Sequence, residues 1–149
     1  MIIKCLGAFL ATMTLSVAFD APKKYLIHAG AAGALNWGIY LVFEEWTGDV
    51  VLATFFATAI LTFVSQIMAR IWKAPSTMFL IPAVIPLVPG AGMYRIAYSL
   101  IYESGREAMS HAYETLLIAG AIALGIFVVD MFFRNKMLRN KVTGEAERK

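Results

Sequence analysis

Residues 74–103 constrain this chain more than any other stretch. They read A-P-S-T-M-F-L-I-P-A-V-I-P-L-V-P-G-A-G-M-Y-R-I-A-Y-S-L-I-Y-E, apolar enough to enter a membrane. Yet Pro82, Pro86, Pro89, Gly90 and Gly92 crowd the middle. A proline inside a helix removes a backbone donor and clashes with the preceding turn. Prolines in close succession followed by glycines predict a broken helix. Broken backbone at membrane depth leaves amides and carbonyls bare, which is tolerated only where protein or a watery cavity covers the break. This segment is therefore expected inside a bundle, with the other spans around it.

Ser76 to Ile85 makes roughly 15 Å of helix, about half of a ~30 Å hydrocarbon core, so the break is expected near the midplane. A second half-helix is expected from about Ala91 past Tyr102. Its first turn presents unpaired N–H groups and the positive end of the helix dipole. Arg95 follows one turn on. Half-helix amides beside a guanidinium suit a carboxylate or another anion. Pro86, Pro89, Gly90, Ala91, Gly92 and Arg95 are thus the candidate substrate-binding residues. The plainer reading is a kinked packing helix whose Arg95 pairs with a neighbour's acid.

The rest of the chain fits a membrane bundle. Of its 149 residues 60% are hydrophobic and only 15% charged, against about a quarter charged in soluble domains. The net charge of +3 is no nucleic-acid signature, because the basic residues cluster at the ends of apolar runs. Cys5, the sole cysteine, excludes an internal disulfide.

The expected fold is an all-α polytopic membrane protein with five transmembrane helices, the fourth one broken. Span one is about Ile2 to Phe19, with Ala8, Thr12 and Ser16 as a small polar face for close packing. Its alternative is a signal peptide ending at Ser16-Val17-Ala18, but Lys23 and Lys24 follow at once, as after a retained span. Span two is about Tyr25 to Phe43, with a Gly30-Ala34-Gly38 seam. Asn36 lies within it, as a bond to a neighbouring helix or as a further ligand-binding residue. Trp37, Tyr40 and Trp46 suit an outer aromatic belt, before an acidic loop over residues 44–49. Span three is about Val50 to Ala69. Thr54, Thr58, Thr62 and Gln66 fall on one face, pointing inward or bonding back to their own carbonyls. After the broken span comes a polar loop, Glu103 to Glu114. Span five is about Thr115 to Phe133, with Ala121 and Gly125 for close packing and Asp130 near its inner end, where Arg70 or Lys73 is the expected partner. The organisation is a membrane domain over residues 1–133 and a basic, partly disordered cytoplasmic tail over 134–149.

Ten of the thirteen Lys and Arg residues fall at 20–24, at 70–75 and in the tail. The positive-inside rule puts these in the cytoplasm, with the N-terminus outside and the C-terminus inside. No nucleophile–base pair or metal set sits at one depth. His111-x-x-Glu114 is too little for a metal site, so no catalysis, metal or cofactor is expected.

The run Ile81-Pro82-Ala83-Val84-Ile85-Pro86-Leu87-Val88-Pro89-Gly90-Ala91-Gly92 resembles the signature of the threonine/serine exporter family. It is most similar to the family's small membrane subunit, the counterpart of the C-terminal half of single-chain members. The likeness extends to Phe19-Asp20-Ala21-Pro22-Lys23-Lys24, where that subunit also carries a proline and a basic residue. The resemblance implies a bacterial inner-membrane exporter driven by an ion gradient, with a larger membrane subunit as partner. It implies threonine, serine or a dicarboxylate such as succinate as substrate. An odd-span half set in tandem with a similar half must be inverted relative to it, a recurrent transporter plan. The competing expectation is a non-transporting assembly or scaffold subunit, and a homo-oligomer also remains open.

Overall fold

The computed structural model describes residues 1–146, with side chains described through residue 134. It is all-helical: α1 (Ile2–Ala18), α2 (Leu26–Thr47), α3 (Val50–Trp72), α4 (Thr77–Val84), α5 (Gly90–Tyr102) and α6 (Gly105–Ala146), with 3-10 turns at Lys23–Tyr25 and Ile85–Leu87.

Helices form where apolar residues run unbroken, and they end where local chemistry ends them. Gly48, in the left-handed region at φ 67°, closes α2. The Asp49 carboxylate then caps α3, accepting from the amides of Val51 (2.7 Å) and Leu52 (3.3 Å). A cap of this kind contributes about 1 kcal/mol. The expected acidic loop over 44–49 is therefore a two-residue turn, since α2 continues through Thr47. The polar loop expected from Glu103 to Glu114 is corrected more heavily. Ser104 breaks the chain briefly, its hydroxyl accepts from the Glu107 amide, and α6 already begins at Gly105. Arg106, Glu107, Ala108, Met109, Ala112 and Glu114 are good helix formers, so the helix extends beyond its apolar stretch. At the other end α6 crosses residue 133 without a break and is helical to Ala146. The side chains from 135 onward, and residues 147–149 entirely, lie outside the described residues.

Three helices are long and apolar enough to cross a membrane: residues 23–47, α3, and α6 from Gly105 to Arg134. Residues Thr77–Leu87 and Gly90–Tyr102 meet at 41° and make a fourth when taken as one broken span. α1 has 17 residues, about 25 Å by helical rise, and falls short of the other three.

Small residues let the helices close up. Ala8, Thr12 and Ser16 are buried on α1. Across from them, a side chain on Gly33 would run into the Thr12 hydroxyl, and one on Gly30 would come within 2.9 Å of the Phe9 ring. The α1–α2 seam thus runs through Gly30 and Gly33, with Ala34 half-buried and Gly38 only loosely against Cys5. α4 lies in the cleft between α1, α2 and α3, where Phe79 is fully buried against Tyr25 and Ala29. Ala32, Leu61 and Ala83 continue that core. α6 packs on α3 through Ala121 and Gly125, and α5 leans on α6.

Both readings of the threonine face hold. Thr54, Thr58 and Thr62 are buried, and each donates to the carbonyl one turn back, at 2.7, 2.8 and 2.7 Å. Gln66 breaks the pattern and donates to Asp130 at 2.6 Å. This corrects the expected partner of Asp130, which is an amide on α3. Arg70 instead sits 4.7 Å over the Phe133 ring, and neither Arg70 nor Lys73 forms an ion pair among the described residues.

Candidate functional site at the helix break

The break follows from three prolines in three different places. Pro82 lies inside α4, Pro86 inside the 3-10 turn, and Pro89 at the cap of α5. In a 3-10 turn each amide reaches three residues back, not four. The Ala83 carbonyl therefore loses the amide that a continuous helix would bring it. Asn36 supplies the replacement, its Nδ2 donating to Ala83 O at 2.9 Å from a side chain only 1% exposed. Of the two sequence readings of Asn36, the structure displays the bond to a neighbouring helix.

Beyond the turn, Gly90 N reaches only Val88 O (2.7 Å), and the first helical bond of α5 is Met93 N to Pro89 O (3.1 Å). The amides of Ala91 and Gly92 are those a helix start leaves unpaired. Both residues line a cavity of about 460 Å³. Pro86, Pro89, Gly90, Ala91, Gly92 and Arg95 all line it, and Asn36 does not. The two glycines differ in kind. A Cβ on Gly90 would meet nothing within 4 Å, so the absent side chain leaves open space there. A Cβ on Gly92 would strike the Thr115 hydroxyl, so glycine is what lets α5 approach α6.

The other walls come from residues outside the broken span. α2 contributes Trp37, Tyr40 and Glu44, and the start of α3 contributes Val50 and Thr54. α6 contributes His111, Glu114, Thr115 and Ile118. Trp37 and Tyr40, expected in an aromatic belt, are cavity wall instead. Their rings lie 5.4 Å apart, and the Tyr40 hydroxyl donates to Glu44 at 3.1 Å. His111 Nδ1 lies 3.9 Å from the Glu114 carboxylate. Arg95 makes no ion pair among the described residues. The lining is thus of mixed charge: Arg95 and the start of α5 come from the broken span, Glu44 from α2 and Glu114 from α6. His111 and Glu114 find no third ligand, and no group of metal-binding side chains occurs among the described residues.

A signal for the missed residues was present. Trp37, Tyr40 and Glu44 stand at i, i+3 and i+7, and His111, Glu114, Thr115 and Ile118 at i, i+3, i+4 and i+7. Each set is one helix face. Both faces lie at the ends of apolar helices, where polar residues read equally well as solvated flanks.

The family model described as "Threonine/Serine exporter, ThrE" matches residues 4–132. A protein of Haemophilus influenzae described only as uncharacterized is 26% identical over 140 residues, covering 88% of this chain and 47% of the relative. A threonine/serine exporter of Corynebacterium glutamicum is 25% identical over 109 residues, covering 73% of this chain and 22% of the relative. The chain therefore spans half or less of the length of these relatives. No solved structure matches it. With the family model covering most of the sequence, the proline–glycine break included, this chain belongs to the threonine/serine exporter family.

Proposed function

We propose that the chain is the small subunit of a two-component secondary exporter in the bacterial inner membrane, and that it carries small carboxylate-bearing metabolites. The observation that supports this best is the cavity at the break. A substrate carboxylate there can take the amides of Ala91 and Gly92 together with the Arg95 guanidinium, each a charge-assisted bond. Glu44 and Glu114 across the cavity suit an ammonium group, so the arrangement favours a zwitterionic amino acid such as threonine or serine over a dianion such as succinate. The second, larger membrane subunit supplies what the relatives have beyond this chain's span.

In this reading α1 is a fifth span, short but within the ~17–25 residue range of membrane helices. The N-terminus is outside and the Lys/Arg-rich ends are cytoplasmic. The Gly48–Asp49 turn then faces outward, and the cavity lies toward that end of α2, lined from Trp37 to Glu44. The chain is not an enzyme and needs no cofactor.

The test is export by vesicles that hold both subunits, loaded in parallel with threonine, serine and succinate. Export of the amino acids above that of succinate, abolished when this chain is omitted, is the expected result. Undiminished export by the larger subunit alone would make this chain an assembly or scaffold component.

A further inference from the structure

We propose that the larger subunit docks on one face of α6, the line Leu116, Ala119, Ala123, Phe127 and Asp130. The proposal rests on the two-subunit reading above and adds the surface. Three observations carry it. First, α6 is the most apolar of the spanning helices and the least covered. In the most apolar stretch of each, 33% of residues 23–47 and 39% of α3 are buried, against 11% of α6. Its inner face, Ala121 and Gly125, is used up on α3.

Second, one line along the uncovered surface is not built like a lipid-facing one, while its neighbours Leu117, Leu124, Val128 and Met131 are large and apolar. The steps along it are 3, 4, 4 and 3 residues, the spacing of a seam that meets another helix. All five residues are exposed. Small alanines lie at its centre, where a partner backbone can come close. It ends in the Asp130 carboxylate. A charged side chain turned toward lipid is costly, and such groups face protein or a watery cavity. Gln66 satisfies one oxygen of Asp130. A carboxylate accepts up to about four hydrogen bonds, so Asp130 has capacity for a donor from a facing helix. α1 differs in its polar groups: no carboxylate occurs over residues 2–18, and its outward Thr14 is bonded to its own helix at Leu10 O, while its exposed surface mixes large Ile3, Leu6, Leu10 and Val17 with small Gly7, Ala11 and Ala18.

Third, the Haemophilus influenzae relative is about twice as long as the segment matched here, since this chain spans 47% of it. A family built from more than this chain needs a surface to receive the remainder. The chemistry that fits is a transmembrane helix with small residues at three- and four-residue steps and a hydrogen-bond donor opposite Asp130.

The experiment uses the full chain in membranes of cells that also express the larger subunit, taken as the protein matching the part of the Haemophilus relative that this chain lacks. Benzoylphenylalanine is incorporated at position 123 or, for comparison, at position 10, and the membranes are irradiated. An adduct at 123 that contains peptides of the larger subunit, without one at 10, is the expected result. A dimer of this chain at 123, an adduct from 10 alone, or no adduct at 123 overturns the proposal. In parallel, Ala123→Trp should lower recovered complex by about five- to a hundredfold, the overpacking cost expressed as association, with the melting of the isolated chain unchanged. An unchanged recovery overturns the proposal as well. The two readings fail separately. Cross-linking at 123 by a pair that exports nothing removes the export reading and leaves the interface. Export by a pair that cross-links only at 10 misplaces the interface and leaves the export reading.

Discussion

Gly125 on α6 is the sharpest test of how this bundle is held. A Cβ there would lie 2.8 Å from the Phe55 carbonyl oxygen and 3.2 Å from the Ala59 amide nitrogen, and would also strike the Thr58 hydroxyl. The hydroxyl could swing aside, although it bonds Thr54 O at 2.8 Å and Phe55 O at 3.0 Å. The two backbone atoms cannot move without moving α3. Gly125→Ala must therefore push α3 and α6 apart, at an overpacking cost of about 1–3 kcal/mol. Gly120, on the same helix, is the matched control, because a Cβ there meets nothing within 4 Å. Both substitutions gain the same intrinsic helix preference, up to about 1 kcal/mol, so the difference between them isolates the packing cost. We expect Gly125→Ala to be less stable than Gly120→Ala by about 1–3 kcal/mol, read as denaturant midpoints of the isolated chain in detergent. Adding Thr58→Ala, which removes the hydroxyl, to Gly125→Ala should leave most of the loss in place, since the backbone obstacle remains. Equal midpoints for the two alanine variants would refute the close α3–α6 packing. Full rescue by Thr58→Ala would locate the obstacle in the Thr58 side chain alone.

Three further outcomes are expected. Arg95→Gln should weaken export by roughly ten- to a hundredfold, the value of a charge-assisted hydrogen bond, with Arg95→Lys recovering only part because a point charge lacks the bidentate geometry. Rates are read in vesicles and normalised to recovered complex, and normal export by Arg95→Gln would take the arginine out of the site. Asn36→Ala should destabilise the isolated chain by about 1–3 kcal/mol, because it strands the Ala83 carbonyl in a buried position. A denaturant midpoint within error of the parent would show that the carbonyl finds another donor. Reporters fused at Gly48 and at Lys149 should report opposite sides of the membrane, periplasm and cytoplasm respectively, and a shared side would end the five-span topology.

How much of this was legible in advance differs element by element. The helix break was readable to within a residue or two, because proline removes an N–H whatever surrounds it. Thr77–Val84 and Gly90–Tyr102 flank it close to where the residues alone put them. The length of α6 was misread. Residues 105–114 are polar, and polarity distinguishes membrane from water, not helix from loop. The partner expected for Asp130 was wrong because charge alone suggested Arg70 or Lys73. The faces of α3 and α6 bring Gln66 to it first, while the Arg70 guanidinium lies over Phe133.

From the sequence by itself come the helices, the place where one of them breaks, the arginine one turn past the break, and the family. Each depends on local chemistry or on a contiguous run of residues, which no packing can alter. Only the tertiary structure decided which helix faces meet. It set Trp37, Tyr40 and Glu44 around the same cavity as Arg95, brought His111 and Glu114 to that cavity as well, and gave Asn36 to the carbonyl of Ala83. It also separated glycines that look alike in sequence: Gly33, Gly92 and Gly125 have no room for a side chain, while Gly7, Gly90 and Gly120 face open space. The reason is physical. A helix exposes every face equally to the reader of a sequence, and only its neighbours determine which face is cavity, which is seam and which is left uncovered.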